Sequence, residues 1–144
     1  RTETLYFLSL IDKNKIKEEW IIQLEKGQTY QLLAAINGSD LTGTIVTSNE
    51  PISVFSGHTC SNVPSSISYC DHLIEQVPPI NSLGQNFVTI PLSTRRSGDI
   101  FRIVAIKDGT NVSIVGTGNF TEDFVLNEGE FKELNIPSDT YSAI

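Results

Sequence analysis

The sequence predicts an all-β fold, an antiparallel β-sandwich or barrel-like domain of short strands and hairpins, and three observations carry that expectation. Apolar runs rich in Val, Ile, Phe, Tyr and Thr recur about every 8–12 residues along the chain. Within most of them apolar and polar residues alternate, the period of a half-buried strand. Gly, Pro, Asn and Asp separate the runs, and these residues favour turns for specific backbone reasons.

Taken in order, "TLYFLSLI" (4–11) is the first predicted strand. "EWIIQLEKGQTYQLLAAI" (19–36) reads as a hairpin, with Trp20, Ile22 and Leu24 on one face, Gly27 at the turn and Tyr30, Leu32, Ala34 and Ile36 on the return. "TGTIVTSNEPISVFSG" (42–57) reads as a second hairpin turning at Asn49-Glu50-Pro51, because proline presets φ and removes a donor. "NFVTIPL" (86–92), "DIFRIVAI" (99–106), "NVSIVG" (111–116) and "DFVLNEGEFKELNI" (123–136) follow. Lys107-Asp108-Gly109-Thr110 carries the Asp-Gly signature of a two-residue hairpin turn.

Two segments also allow a helix. Ile16, Trp20 and Leu24 fall four apart within 14–26, and "DHLIEQV" (71–77) would fit a single helical turn. An internal similarity decides the first for strand. "LEKGQTYQL" (24–32) and "LNEGEFKEL" (126–134) share a pattern at an offset of 102 residues, and the later copy follows a stretch with little helical periodicity. In "DIFRIVAI", Arg102 shares a face with Ile100, Val104 and Ile106, so it is expected at a sheet margin with its stem over apolar surface, since an unpaired buried charge is costly.

The 144 residues fit one β domain, residues 1–144, and a chain of this size buries roughly 68–70% of its unfolded surface without a metal or staple. No run approaches the roughly 18 apolar residues of a membrane helix. The net charge of −7 excludes a nucleic-acid surface: Lys13, Lys15 and Lys17 are followed at once by Glu18 and Glu19. With no Met and no basic-apolar leader, the chain reads as a mature segment or excised piece of a longer extracellular domain. Leu134 occupies the place of Leu32 in the repeat, and the chain stops at Ile144 where a counterpart of the 42–57 hairpin is due. The open sheet edge this implies is expected to be filled by another chain or segment. Sequons at Asn37, Asn111 and Asn119 and an even cysteine count point to secretion.

The chemistry-bearing residues gather in "SGHTCSNVPSSISYCDHLIEQ" (56–76), which holds both histidines and both cysteines of the chain. His58, Cys60, Cys70 and His72 are the ligand inventory of a structural zinc site. One intervening residue within each pair puts the two side chains roughly 6.6 Å apart along a strand, a poor chelate. A nucleophile can be written with Cys60 and either histidine, oriented by Asp71 or Glu75, or with Ser56 and His58, but no strand–turn–helix setting supports it. Composition favours a disulfide between Cys60 and Cys70 closing the loop "SNVPSSISY", worth roughly 2.5–3 kcal/mol for a ring of about 11 residues. The loop then becomes a presented feature, the kind of element on which binding sits.

"LTGTIVTSNEPISVFSGHTC", "CDHLIEQVPPINSLGQNFVTIPL" and "RSGDIFRIVAIKDGTNVSI" together resemble the N-terminal domain family of IgGFc-binding protein, over roughly residues 30–115. The family's SGHxC…CxH--EQxPP pattern is met here, while Leu83 precedes Gly84 where the family tends to place Trp. The resemblance implies secreted, cysteine-bridged β domains of mucus-type glycoproteins and of matrix, adhesive and defence proteins, with Cys60 and Cys70 as the motif's cysteines. No motif carries antibody binding over to particular positions. The expected function is a non-enzymatic extracellular module of adhesion, matrix or mucosal-defence type acting through protein or glycan contacts, without catalytic residues or cofactor. Two alternatives stand beside it: a metal-binding domain on His58, Cys60, Cys70 and His72, and a lectin-like module with Trp20 or Tyr69 stacking on sugar.

Overall fold

The computed structural model describes residues 4–12, 15–34 and 40–144. They form an all-β, antiparallel structure whose strands group into four sheets and do not close into a barrel. Two compact units share the chain. The first is built from Arg1–Ile52, Val104–Thr110 and Leu126–Lys132, the second from Ser53–Ile103, Asn111–Val125 and Glu133–Ile144.

In the first unit, β1 (Thr4–Asp12) lies between β2 (Lys15–Leu24) and β3 (Ile45–Ser48). Leu8 stands opposite Trp20 on one side and Val46 on the other, and the β1–β2 register shifts once, between Leu10 and Ile11. The helical spacing within 14–26 is thus overridden, because β2 finds a long antiparallel partner in β1. The predicted return strand does not form: residues 28–34 are irregular, and Ile36 lies outside the described residues.

The sequence similarity has a structural counterpart at its turns. Gln28 N–H donates to the Glu25 carbonyl (3.0 Å) and Glu130 N–H to the Asn127 carbonyl (2.9 Å). Gly27 and Gly129 take φ of 88° and 75° at equivalent places, a conformation glycine adopts without strain. Each turn is locked by its last residue: Gln28 Oε1 accepts Glu25 N–H at 2.8 Å, and Glu130 Oε2 accepts Asn127 N–H at 2.7 Å. The second turn is held further within the first unit, where Ala105 N–H donates to Glu130 O (2.9 Å) and Gly129 N–H to Ala105 O (2.8 Å). Gly43, at φ 90°, comes so close to the Gly129 carbonyl that any side chain there would collide with backbone.

The second unit holds a four-stranded sheet in the order β6 (Val88–Thr89), β11 (Ser142–Ala143), β8 (Thr110–Gly116), β9 (Thr121–Leu126). A two-stranded sheet pairs β7 (Asp99–Val104) with β10 (Phe131–Ile136), and a hairpin pairs β4 (Val54–Ser61) with β5 (Asp71–Val77). Alternation along β8 and β10 turns Val112 and Ile114 toward Leu134 and Ile136, and Phe101, Ile103, Phe120, Phe124 and Ile144 pack around them. Thr89 and Ser142, buried in the same unit, share a hydroxyl hydrogen bond of 2.6 Å, so neither polar group is left unsatisfied. Asp99 is buried as well, and its carboxylate accepts Leu92 N–H at 3.2 Å and faces Arg95 Nε at 3.3 Å.

Two expected hairpins are corrected. Asn49-Glu50-Pro51 does not join two paired strands, because β3 pairs with β1 and β4 pairs with β5. Lys107–Thr110 is not a two-residue hairpin turn either. Ala105 leaves β7 to bond with the Gly129–Glu130 backbone, only Gly109 takes positive φ, and β7 pairs with β10 while β8 pairs with β9 and β11. A two-residue turn of that class needs positive φ at both central positions. "DHLIEQV" is strand β5, not a helical turn.

Arg102 is exposed, its Nε 2.8 Å from Glu133 Oε2, with each side chain 41% exposed. Arg102→Ala is therefore expected to cost less than about 1 kcal/mol. Ile114→Ala empties a site that is 0% exposed, and is expected to cost about 2–5 kcal/mol. Urea unfolding of the two variants, followed by circular dichroism, measures the contrast.

Candidate functional site: the disulfide hairpin

β4 and β5 pair in register from Val54↔Val77 through Phe55↔Gln76, Ser56↔Glu75 and Gly57↔Ile74 to His58↔Leu73. The ladder then slips, resuming at Ser61↔Asp71, so Thr59 and Cys60 on one strand face His72 alone on the other. Such a bulge strips backbone groups of their cross-strand partners. The residues of the motif replace what is lost. Cys60 N–H donates to His58 Nδ1 at 3.0 Å, and His72 N–H donates to Asp71 Oδ1 at 2.7 Å. His58 and Asp71 are where they are because the irregular ladder needs two acceptors.

Cys60 and Cys70 are joined beside the bulge in a disulfide with a Cα–Cα distance of 4.9 Å. Beyond it the loop is held by its own bonds, Asn62 Nδ2 to Ile67 O (2.6 Å) and Ile67 N–H to Pro64 O (3.0 Å). At Gly57 the strands run so close that a side chain would meet the Leu73 carbonyl, so a residue with no Cβ is required.

Strand alternation gives the hairpin two faces. Phe55, Gly57, His72, Ile74 and Gln76 share one; Val54, Ser56, His58, Leu73, Glu75 and Val77 share the other. None of these side chains is buried, and Phe55 and Ile74 are 62% and 63% exposed. Tyr69, next to the disulfide, is 88% exposed.

This geometry decides what the four motif residues can do together. Both sulfurs are consumed by the disulfide, and His58 and His72 fall on opposite faces, so the four-ligand set of the zinc alternative is not assembled. Among the described residues no group of three or more His, Cys, Asp or Glu is arranged to hold a metal ion. Cys60 offers no free thiolate, and the Nδ1 of His58 is occupied by a backbone N–H instead of Ser56.

The other candidate residues are dispersed. Trp20 is partly exposed on β2 of the first unit, and Tyr69 belongs to the second. Asn111 and Ser113 are exposed on β8, alternating with buried Val112 and Ile114, whereas Asn119, also exposed, sits at φ 64° in a tight turn before Thr121. Asn37 lies outside the described residues. Sequence reasoning missed the acceptor role of Asp71 and the pairing of β4 with β5. The signal for the pairing was present, since a disulfide across so short a loop holds two strands side by side.

Replacing both cysteines by serine is expected to speed amide exchange across Val54–Ser61 and Asp71–Val77 and to leave Val112, Ile114, Leu134 and Ile136 protected as before. His58→Ala, which removes one exposed acceptor, is expected to cost about 0.5–1.5 kcal/mol, confined to the same strands. Residue-resolved hydrogen exchange measures both.

Comparison with known proteins places the chain. A family model described as IgGFc binding protein matches residues 9–143. The human IgGFc-binding protein is 31% identical over 78 residues, a match covering 54% of this chain and 1% of that protein. The chain thus corresponds to a small part of that relative's length. No solved structure matches. The stretch matched includes the bulged, disulfide-closed hairpin and the strands on either side of it, and the chain belongs to the IgGFc-binding protein family.

Proposed function

We propose that this chain is a non-enzymatic extracellular binding module of adhesion, matrix or mucosal-defence type, contacting protein or glycan partners through the β4–β5 hairpin and an open sheet edge. The observation that carries the reading is the hairpin: a disulfide and a bulge hold it in shape, yet none of its side chains is buried. Large apolar side chains held rigidly in solvent are the signature of an interaction surface. Family membership supports the same reading, and the human relative is named for binding IgG Fc. Protein contact is the primary mode. Glycan contact has one observation in its favour, the exposed ring of Tyr69, which offers a flat apolar face to a sugar.

Secretion goes with this reading, and Asn111 and Asn119 are then modification sites, each exposed with a hydroxyl residue two positions on. Expression through a secretory pathway is expected to add a glycan at both, removed by peptide N-glycosidase and reduced by one in Asn111→Gln; a protein of unmodified mass would count against secretion.

Surface plasmon resonance tests the function directly, with the chain immobilised and IgG Fc, mucin glycoprotein and a glycan array presented in turn. Saturable binding to a protein is expected, weakened about tenfold or more by Phe55→Ser, as for loss of a central apolar anchor. Silence across all three, or turnover of a substrate abolished by His58→Ala, would overturn the proposal.

A further inference from the structure

We infer that the free edge of β5 is a docking strand for an extended protein segment in which cationic and apolar side chains alternate. The inference rests on the binding-module reading and gives its partner a chemistry.

β5 pairs with β4 on one side and, among the described residues, with nothing on the other. Its seven residues, Asp71-His72-Leu73-Ile74-Glu75-Gln76-Val77, contain no lysine, no proline and no glycine, and the bulge lies in β4. Natural sheet edges exclude strangers with such devices, and the one present here is negative charge, at Asp71 and Glu75, which turns away acidic strands and leaves the edge open to cationic ones. Pro78 and Pro79 end the strand and fix the length of edge on offer.

The two faces of β5 differ in chemistry, and the difference sets the partner's pattern. Asp71, Leu73, Glu75 and Val77 lie on one side of the strand and His72, Ile74 and Gln76 on the other, where Phe55 of β4 extends the apolar surface. An added strand places successive side chains on alternate faces. Every second residue would stand beside Asp71 and Glu75, and the intervening ones beside Ile74. The carboxylates are not neutralised locally: from Gly27 to Thr94 the chain holds Asp40, Glu50, Asp71 and Glu75 and neither Lys nor Arg. Charge complementarity therefore selects Lys or Arg for the first set of positions, and Ile74 with Phe55 selects apolar residues for the second. A second copy of this chain, carrying net charge −7 and the same two carboxylates, is the poorer occupant.

Three blocked heptapeptides serve as probes for the intact chain: Val-Lys-Val-Lys-Val-Lys-Val, the same residues in block order, and Val-Glu-Val-Glu-Val-Glu-Val. The alternating lysine peptide is expected to bind, to slow amide exchange in Asp71–Val77, and to lose affinity on raising salt. Glu75→Gln should weaken it about threefold, and Ile74→Ser about tenfold. Equal binding of the block-order peptide would reduce the effect to diffuse charge attraction and overturn the inference. So would failure of β5 to gain protection, or protection of β5 by self-association without peptide, which would make a second copy the occupant. If IgG Fc or mucin still binds the chain while the alternating peptide does not, the docking strand falls and the binding-module reading stands.

Discussion

The contact between β8 and β10 is what the rest of the second unit is arranged around. Among the described residues Ile114 and Ile136 are the largest side chains withdrawn from solvent, and Val112, Leu134 and the partly buried Phe101, Phe120 and Phe124 pack against them. Burying each such side chain is worth about 1.5–3 kcal/mol, and the burial is possible only if β8 and β10 belong to different sheets facing one another. That requirement decides the connections. The chain passes from one sheet to the other at Asn127–Glu130, and so a turn that looks locally like a hairpin serves as a crossing. The polar interior follows the same logic: the Thr89–Ser142 hydroxyl pair and the Asp99 carboxylate each satisfy backbone or side-chain partners where the short strands β6 and β11 cannot.

This explains how far the sequence could be read. The strands were legible because their signal is local: alternation in "NVSIVG" and "FKELNI" marks one face for burial whatever the partner. Pairing is a long-range property, and turn residues do not report it. Asn49-Glu50-Pro51 and Asp108-Gly109 do reverse or bend the chain, yet the strands they separate bond elsewhere. The match between 24–32 and 126–134 was informative for a related reason. What repeats is the turn, with a positive-φ glycine and a Gln or Glu side chain accepting the first amide, whereas the strand following the turn forms only in the second copy. At the candidate site, cysteine number and loop composition were enough to suggest the disulfide. The work of Asp71 is not readable, because it depends on a one-residue slip that no residue type announces.

The hairpin shows two kinds of constraint acting on neighbouring residues. Gly57, His58, Cys60, Cys70 and Asp71 are fixed by backbone: each either fits a close approach, fills a vacant acceptor position or closes the loop. Phe55, Tyr69, Ile74 and Glu75 answer to no such requirement, being exposed and unburied in the protein alone. A motif that reads from sequence as a reactive centre is in the folded chain a frame, and the residues with freedom to meet a partner are those set into it.

That division bears on how such a module can change over generations. Because β4 and β5 contribute no buried side chain, substitutions at exposed positions such as Phe55, Ile74 and Glu75, which neither satisfy backbone nor fit a close approach, fall among the surface changes that leave stability within about 0.5 kcal/mol. The stability margin that ordinarily limits the accumulation of new contacts is scarcely drawn upon there. The frame of glycine, histidine, aspartate and disulfide can persist while the side chains it displays are exchanged, so the chemistry of the exposed surface is uncoupled from the stability of the fold beneath it.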